Sequence, residues 1–164
     1  MSPNSPYAKT KILAEKYLTK YFKENSWILR FAPVYSNQFK LNIERRTKIK
    51  NRFYKVGDGT NKLSLLNIKN ISYIIKEIIA DKIPPDIYNL ADTQIYDYDG
   101  LLKNRGASNV LSIPKFIPIF AYYIGKLTNN IFLLENSVKL ISDNIYSTKK
   151  LQKYTQLPFT IKNY

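Results

Sequence analysis

Isoleucines at 71, 74, 75, 78 and 79 stand at helical spacing, and short apolar runs flank them at Leu63–Ile68 and Ile87–Ala91. Short buried strands interleaved with amphipathic helices bury both kinds of apolar surface when helices layer on a sheet. Pro84-Pro85 stops the isoleucine helix before the second run. The same alternation continues on both sides. Ile12, Leu13, Tyr17, Leu18, Tyr21 and Phe22 predict an amphipathic helix to about Glu24, with Ser5 as N-cap and Pro6 at its first position. Trp27–Tyr35 reads as a buried strand with Pro33 near its end, and residues 37–52 as a basic helix or long loop. Downstream come a strand at Phe53–Val56, a turn at Gly57-Asp58-Gly59 and a short helix at Asp97–Asn104. A strand at Val110–Ile113, a helix at Phe116–Leu127 and small elements at Val138–Ile141 and Thr148–Tyr154 follow. The pattern predicts an α/β fold. At 164 residues, with no repeat and no linker, it suits one compact unit.

Absences narrow the chemistry. The chain has no Cys and no His. Disulfides, thiolate nucleophiles, His-based triads and His or Cys zinc ligands are excluded, while an all-oxygen Mg²⁺ or Ca²⁺ site is not. The five glycines, at 57, 59, 100, 106 and 125, form neither a GxGxxG nor a GxxxxGK phosphate loop. The formal net charge is +14. Its lysines are spread along the chain and accompany abundant Asn, Ile and Tyr, which marks a compositional bias, so nucleic acid is not an expected partner. No apolar stretch reaches the length of a membrane span, and the opening residues lack a signal-peptide core, so a cytoplasmic location is expected. Phe116–Ile124 is apolar nearly all round. It reads as a packed helix, or more sharply as a contact for a membrane or a lipid-linked sugar.

Tyr7 and Lys11 are four residues apart on the first helix and share a face. A phenol is a poor base at neutral pH, and a neighbouring ammonium favours its ionised form. Such a pair can move a proton on and off a hydroxyl while a nicotinamide takes hydride. The spacing also occurs at Tyr122/Lys126 and Tyr146/Lys150. Only the first has further context.

Ser5-Pro6-Tyr7-Ala8-Lys9-Thr10-Lys11-Ile12-Leu13-Ala14-Glu15 resembles the active-site helix of the extended short-chain dehydrogenase/reductase family, the nucleotide-sugar epimerases and dehydratases. Thr10 takes that pattern's Ser/Thr place and Glu15 its acidic place. Further pieces follow in family order: Ile28–Tyr35, the Gly57–Gly59 turn with Leu63–Ile71, Ile87–Ala91, and Lys139–Lys150 running to Pro158. The resemblance implies that Tyr7 is the acid/base and that Lys11 binds the nicotinamide ribose. It implies that backbone at Pro33, Val34 and Tyr35 lies near the nicotinamide of NAD or NADP, and that the stretch from Asn37 to Lys62 lines a nucleotide-sugar pocket. Dimerisation through the helix carrying Tyr7 is usual in the family.

The family's glycine-rich loop and its catalytic Ser/Thr precede the Tyr by more than the six residues present here. The resemblance therefore implies the C-terminal part of a doubly wound Rossmann-like sheet, residues 1–36 and 69–92, with a small α/β substrate lobe, residues 37–68 and 93–164. Such a fragment is expected to be inactive alone. Departures from the pattern are Ser36 for Gly, Asn67 for His, Asn70 for Asp, and Leu63 where an Arg is common, with Lys62 one place off register. A basic non-enzymatic module for nucleic acid or an anionic surface, and a gene remnant without function, are the alternatives.

Overall fold

The computed structural model describes residues 6–161. Helix α1 (Pro6–Tyr21) opens it, followed by a 3-10 turn at Lys23–Asn25; the expected cap at Ser5 lies outside the described residues. Next come β1 (Ile28–Phe31), β2 (Val34–Tyr35), α2 (Leu41–Thr47), β3 (Lys48–Ile49) and β4 (Arg52–Val56). Strands β5 (Lys62–Leu63) and β6 (Leu66–Asn67) lead into α3 (Ile68–Ile79) and β7 (Ile87–Leu90). The remainder is β8 (Tyr96–Asp97), α4 (Tyr98–Asn104), β9 (Leu111–Ile113), α5 (Phe116–Leu127), α6 (Ile131–Ile141) and a 3-10 turn at Leu151–Lys153.

The α/β expectation holds, with local corrections. The strand expected over Trp27–Tyr35 is two, β1 and β2, because Pro33 has no N–H to donate to a ladder. Residues 37–52 hold a helix and a hairpin rather than a long loop. Helix α3 stops at Ile79, ahead of the prolines, and Asp81 turns the chain with φ of 54°. The small element expected at Val138–Ile141 is the end of a helix that begins at Ile131, capped by the Asn130 side chain accepting from the Leu133 N–H.

Strands β1 and β7 are parallel, with Ile28 beside Ile87 and Phe31 beside Leu90. Strands β2 and β6 are also parallel, with Val34 beside Leu66 and Tyr35 beside Asn67. The Ala32 N–H to Leu90 O bond (2.9 Å) extends the first pair, and the Asp92 N–H to Leu65 O bond (2.8 Å) ties it to the second. Strand β4 joins β3 antiparallel and β9 parallel, and β5 lies antiparallel to β8.

Two buried clusters result. The first gathers Ala32, Leu66, Ile74, Tyr88, Leu90, Leu151 and Leu157, with Trp27, Ile71 and Ile78 packed against it. The second gathers Tyr35, Ile43, Leu63, Leu65, Tyr96, Tyr98 and Leu101. Of the five isoleucines at helical spacing on α3, Ile71, Ile74 and Ile78 meet the first cluster, while Ile75 and Ile79 face outward.

Helix α1 is the exception. It buries none of its residues. Its tie to β1 is a forked ion pair, in which the Arg30 guanidinium donates from Nε at 3.1 Å to both Glu15 carboxylate oxygens and from Nη2 to Oε2. A groove of about 450 Å³ lined by Ile12, Thr19 and Ile87 separates helix from sheet. Among the described residues, β1 pairs only with β7, so its other edge is open.

On α4, Asp99 bridges two cations, with Lys55 Nζ and Lys103 Nζ each 2.7 Å from its carboxylate. These ammoniums, Lys103 first, hold the Asp99 carboxyl down at about 2. Its folded value lies below that of a free aspartate, so its stabilising contribution is present above about pH 4 and lost as the pH falls toward 2. The stability gap between wild type and Asp99→Asn should therefore narrow across that window in acid-titrated thermal melts. A gap that stays constant from pH 4 to pH 2 would contradict the assignment.

Candidate functional site

Strands β2 and β6 end at Tyr35 and Asn67, and the chain leaves β7 at Ala91-Asp92. Open α/β sheets bind ligands outside the carboxyl ends of their strands, and the most polar part of this core lies there. Asp92 is 5% exposed. Its Oδ2 accepts from the Tyr35 hydroxyl at 2.7 Å and the Tyr96 hydroxyl at 2.8 Å. Its Oδ1 accepts from the Asn67 N–H and from Asn70 Nδ2, both at 2.8 Å. Asn70 also holds the C-terminal segment: its Nδ2 donates to Phe159 O at 2.8 Å, and its Oδ1 accepts from Phe159 N–H at 3.0 Å.

Burial raises the Asp92 carboxyl above the ordinary aspartate value, against the pull of its four donors. Burial likewise pushes both tyrosine hydroxyls well above the usual phenol range. Tyr35 and Tyr96 are therefore fixed donors at neutral pH. Their hydroxyls orient Asp92.

Above this network opens a cleft of about 420 Å³, lined by Tyr35, Ser36, Asn37, Lys40, Ile43, Leu101, Asn104, Arg105 and Ile161. Helix α2 supplies one wall and the end of α4 the other. Ser36 shapes the entry to α2, its Oγ accepting from the Phe39 N–H at 2.8 Å. Arg105 donates from Nη2 to Glu44 Oε1 at 2.9 Å and lies over the Phe53 ring, while its buried Nη1 has no hydrogen-bond partner. That hydrogen bond is also the main cause of a lowered Glu44 carboxyl. Lys40 and Arg105 make the cleft cationic, and Asn37 and Asn104 supply amides, a set suited to phosphate and hydroxyl groups.

The structure brings some of the sequence-predicted residues together and separates others. Tyr35 and Asn37 line the cleft. Pro33 and Val34 precede it with engaged carbonyls: Pro33 O accepts from the Leu66 N–H at 3.1 Å and Val34 O from Asn42 Nδ2 at 2.8 Å. Tyr7 and Lys11 stand together on α1, with Lys11 Nζ 5.7 Å from the Tyr7 ring centroid. Tyr7 is 73% exposed, and neither residue lines the cleft. Lys62 sits in β5, its N–H donating to Asp143 Oδ1 at 2.7 Å, and is also outside the lining.

Lys40, Asn104, Arg105 and Asp92 were not singled out by sequence reasoning. Lys40 falls within the stretch from Asn37 to Lys62, which would have found it. Arg105 and Asp92 carry no local signal, since Arg105 meets Glu44 from 61 residues away and Asp92 meets Tyr35 from 57.

No protein-family model matches the sequence, and no curated protein matches it. Solved structures do resemble it. The chain superposes on dTDP-glucose 4,6-dehydratase of Bacillus anthracis, crystallised with NAD, at a TM-score of 0.57 and 12% identity, covering 99% of this chain and 50% of that one. ADP-L-glycero-D-manno-heptose-6-epimerase of Helicobacter pylori gives a TM-score of 0.60 at 12% identity, with 99% and 49% coverage. The enzyme WbmG of Bordetella bronchiseptica, crystallised with NAD and UDP, gives 0.60 at 12%, with 99% and 50%. The chain thus spans about half the length of each. Its α/β architecture, with parallel β1–β7 and β2–β6 pairs joined through α3, has the fold of about half of each of these sugar-epimerase and dehydratase structures.

Proposed function

We propose that the chain is the substrate-binding half of an NAD(P)-dependent nucleotide-sugar epimerase or dehydratase, carrying the catalytic helix with it. The observation that carries this reading is the cationic cleft at the carboxyl end of β2, set in half the fold of such enzymes. Asn37, Lys40 and Arg105 hold the nucleotide diphosphate; Lys62, on β5 outside the cleft lining, is proposed as a second contact to the same ligand. Tyr7 moves the proton of the sugar hydroxyl, and Lys11 places a cation beside it. Bound NAD would supply the hydride acceptor for that oxidation. The phenol of Tyr7 and the ammonium of Lys11, paired on α1, are the groups that would meet its nicotinamide ribose, and the resemblance assigns Pro33–Tyr35 to the nicotinamide. None of the five glycines builds a cradle for its pyrophosphate.

The division into a Rossmann-like part and a substrate lobe draws support from the two buried clusters, with Leu66, Leu151 and Leu157 crossing back into the first. Exposed Leu13, Tyr17 and Tyr21 support pairing of two copies through α1. A cytoplasmic enzyme is the corresponding location.

Calorimetric titration with UDP and UDP-sugars tests the cleft. Binding in the micromolar to millimolar range is expected, weakened about tenfold or more by Arg105→Ala, because one charged hydrogen bond is worth about 1.5–3 kcal/mol. No heat at millimolar UDP, or an unchanged affinity in the variant, would sink the reading of the cleft. The 164-residue chain alone is expected to show no epimerase or dehydratase turnover, and measurable turnover would overturn that part.

A further inference from the structure

Helix α5 is packed inside out. It turns Pro118 and Gly125 toward the protein. A side chain at Gly125 would come within 3.0 Å of both Leu133 Cβ and the Leu134 backbone nitrogen, so the close approach of α6 depends on that glycine. The opposite face carries Phe116, Phe120, Tyr123 and Leu127 at intervals of four, three and four, one continuous helical stripe. Phe120 is 66% exposed and Leu127 87%, and Phe132 just past the turn is 75% exposed. Phe116, Phe120 and Tyr123 also line an almost wholly apolar concavity of about 530 Å³. An outward helix face is ordinarily polar, and a contiguous aromatic patch marks a surface that meets something apolar.

Charge decides between occupants. Residues 115–141 carry Lys115, Lys126 and Lys139 against the single acid Glu135. Lys115 reaches Asp58 at 3.6 Å but remains half-exposed, and Lys126 flanks the stripe in solvent. Two copies of this basic hairpin set face to face bring like charges together, whereas an anionic bilayer attracts each of its lysines. At 12 residues α5 is about 18 Å long, too short to span about 30 Å of hydrocarbon, and no described helix is long and apolar enough to cross a membrane. A short helix with an aromatic face and flanking lysines lies in the interface plane.

We infer that the α5–α6 hairpin docks this protein on anionic lipid surfaces, seating Phe116, Phe120, Tyr123 and Leu127 among the acyl chains beneath the headgroups. This stands apart from the sugar-nucleotide reading, which concerns a different face.

Co-sedimentation with phosphatidylcholine–phosphatidylglycerol vesicles tests it, against phosphatidylcholine alone. The chain should partition onto the anionic vesicles at least tenfold more strongly, and Phe120→Glu/Leu127→Glu should reduce that partitioning tenfold or more. Absence of binding to the anionic vesicles would overturn the inference. So would undiminished binding by the double variant, which would mean that charge alone holds the protein. Concentration-dependent dimers that the double variant abolishes, with no vesicle binding, would assign the face to a second copy instead. If the double variant fails to fold, Phe120→Trp supplies the readout. Its emission should shift to the blue on anionic vesicles and be quenched by brominated acyl chains, and an unshifted spectrum overturns the inference as well.

Discussion

Asp92→Ala should cost about 3–5 kcal/mol of stability, the largest loss expected from any single substitution in this core. The carboxylate accepts four hydrogen bonds in a site almost closed to water. Removing it strands two phenol hydroxyls, a backbone N–H and an amide, and each buried orphan carries its own desolvation penalty. Asparagine at the same place would keep one accepting oxygen but set its NH₂ against one pair of donors, so Asp92→Asn also loses stability, by less. Tyr35→Phe and Tyr96→Phe each remove a donor and leave the acid with three partners, at about 1 kcal/mol apiece. Against a typical stability of about 5–15 kcal/mol, the alanine variant should melt about 10 °C or more below wild type. Urea titration at neutral pH checks the series. An alanine variant within 1 kcal/mol of wild type would show that the network does not hold the sheet ends together.

Tyr7→Phe should act oppositely, with almost nothing on stability and a large effect on chemistry. The side chain stands 73% exposed on a helix that buries no residue. Its loss should move the unfolding free energy of this chain by less than about 0.5 kcal/mol. In an assembled enzyme carrying both halves of the fold, the same change should lower turnover about 10²–10⁴-fold, since a positioned acid/base is worth that much. Lys11→Ala should follow it in direction. Single-turnover oxidation of a nucleotide sugar, read as nicotinamide absorbance, separates this chemical step from substrate binding. Turnover of the phenylalanine variant within threefold of wild type would remove Tyr7 from the mechanism.

Local pattern disclosed the elements whose neighbours in sequence are also their reason for folding. The α3 helix, the Gly57–Gly59 turn and the short helix α4 lie where the sequence places them, α4 starting one residue later because Asp97 caps it. Residues 131–137 escaped because Ile131-Phe132-Leu133-Leu134 is apolar without a period. The one cue there was Asn130, three residues ahead of the N–H it caps. Register was not legible, because β1 and β7 pair across 59 residues and β4 and β9 across 57. The site divides in the same way. Tyr7 and Lys11 are legible as a helical pair, whereas the Arg105–Glu44 ion pair, between α2 and the end of α4, and the Asp92 network exist only once distant segments have met.

The clasp between Asn70 and Phe159 sets an order of events during synthesis. Leu151 and Leu157 belong to the first buried cluster, and Phe159 pairs with Asn70 across 89 positions. A ribosome must therefore complete the segment through Phe159 before the β1–β7 sheet can close over its own filling. Translation proceeds at about 5–20 residues per second, so the nascent chain waits for seconds with the Ile74 side of α3 uncovered. During that interval its apolar surface is of the kind that chaperones bind. Stop codons even a few residues before Leu157 should yield a chain that is captured or degraded and never accumulates as a folded product.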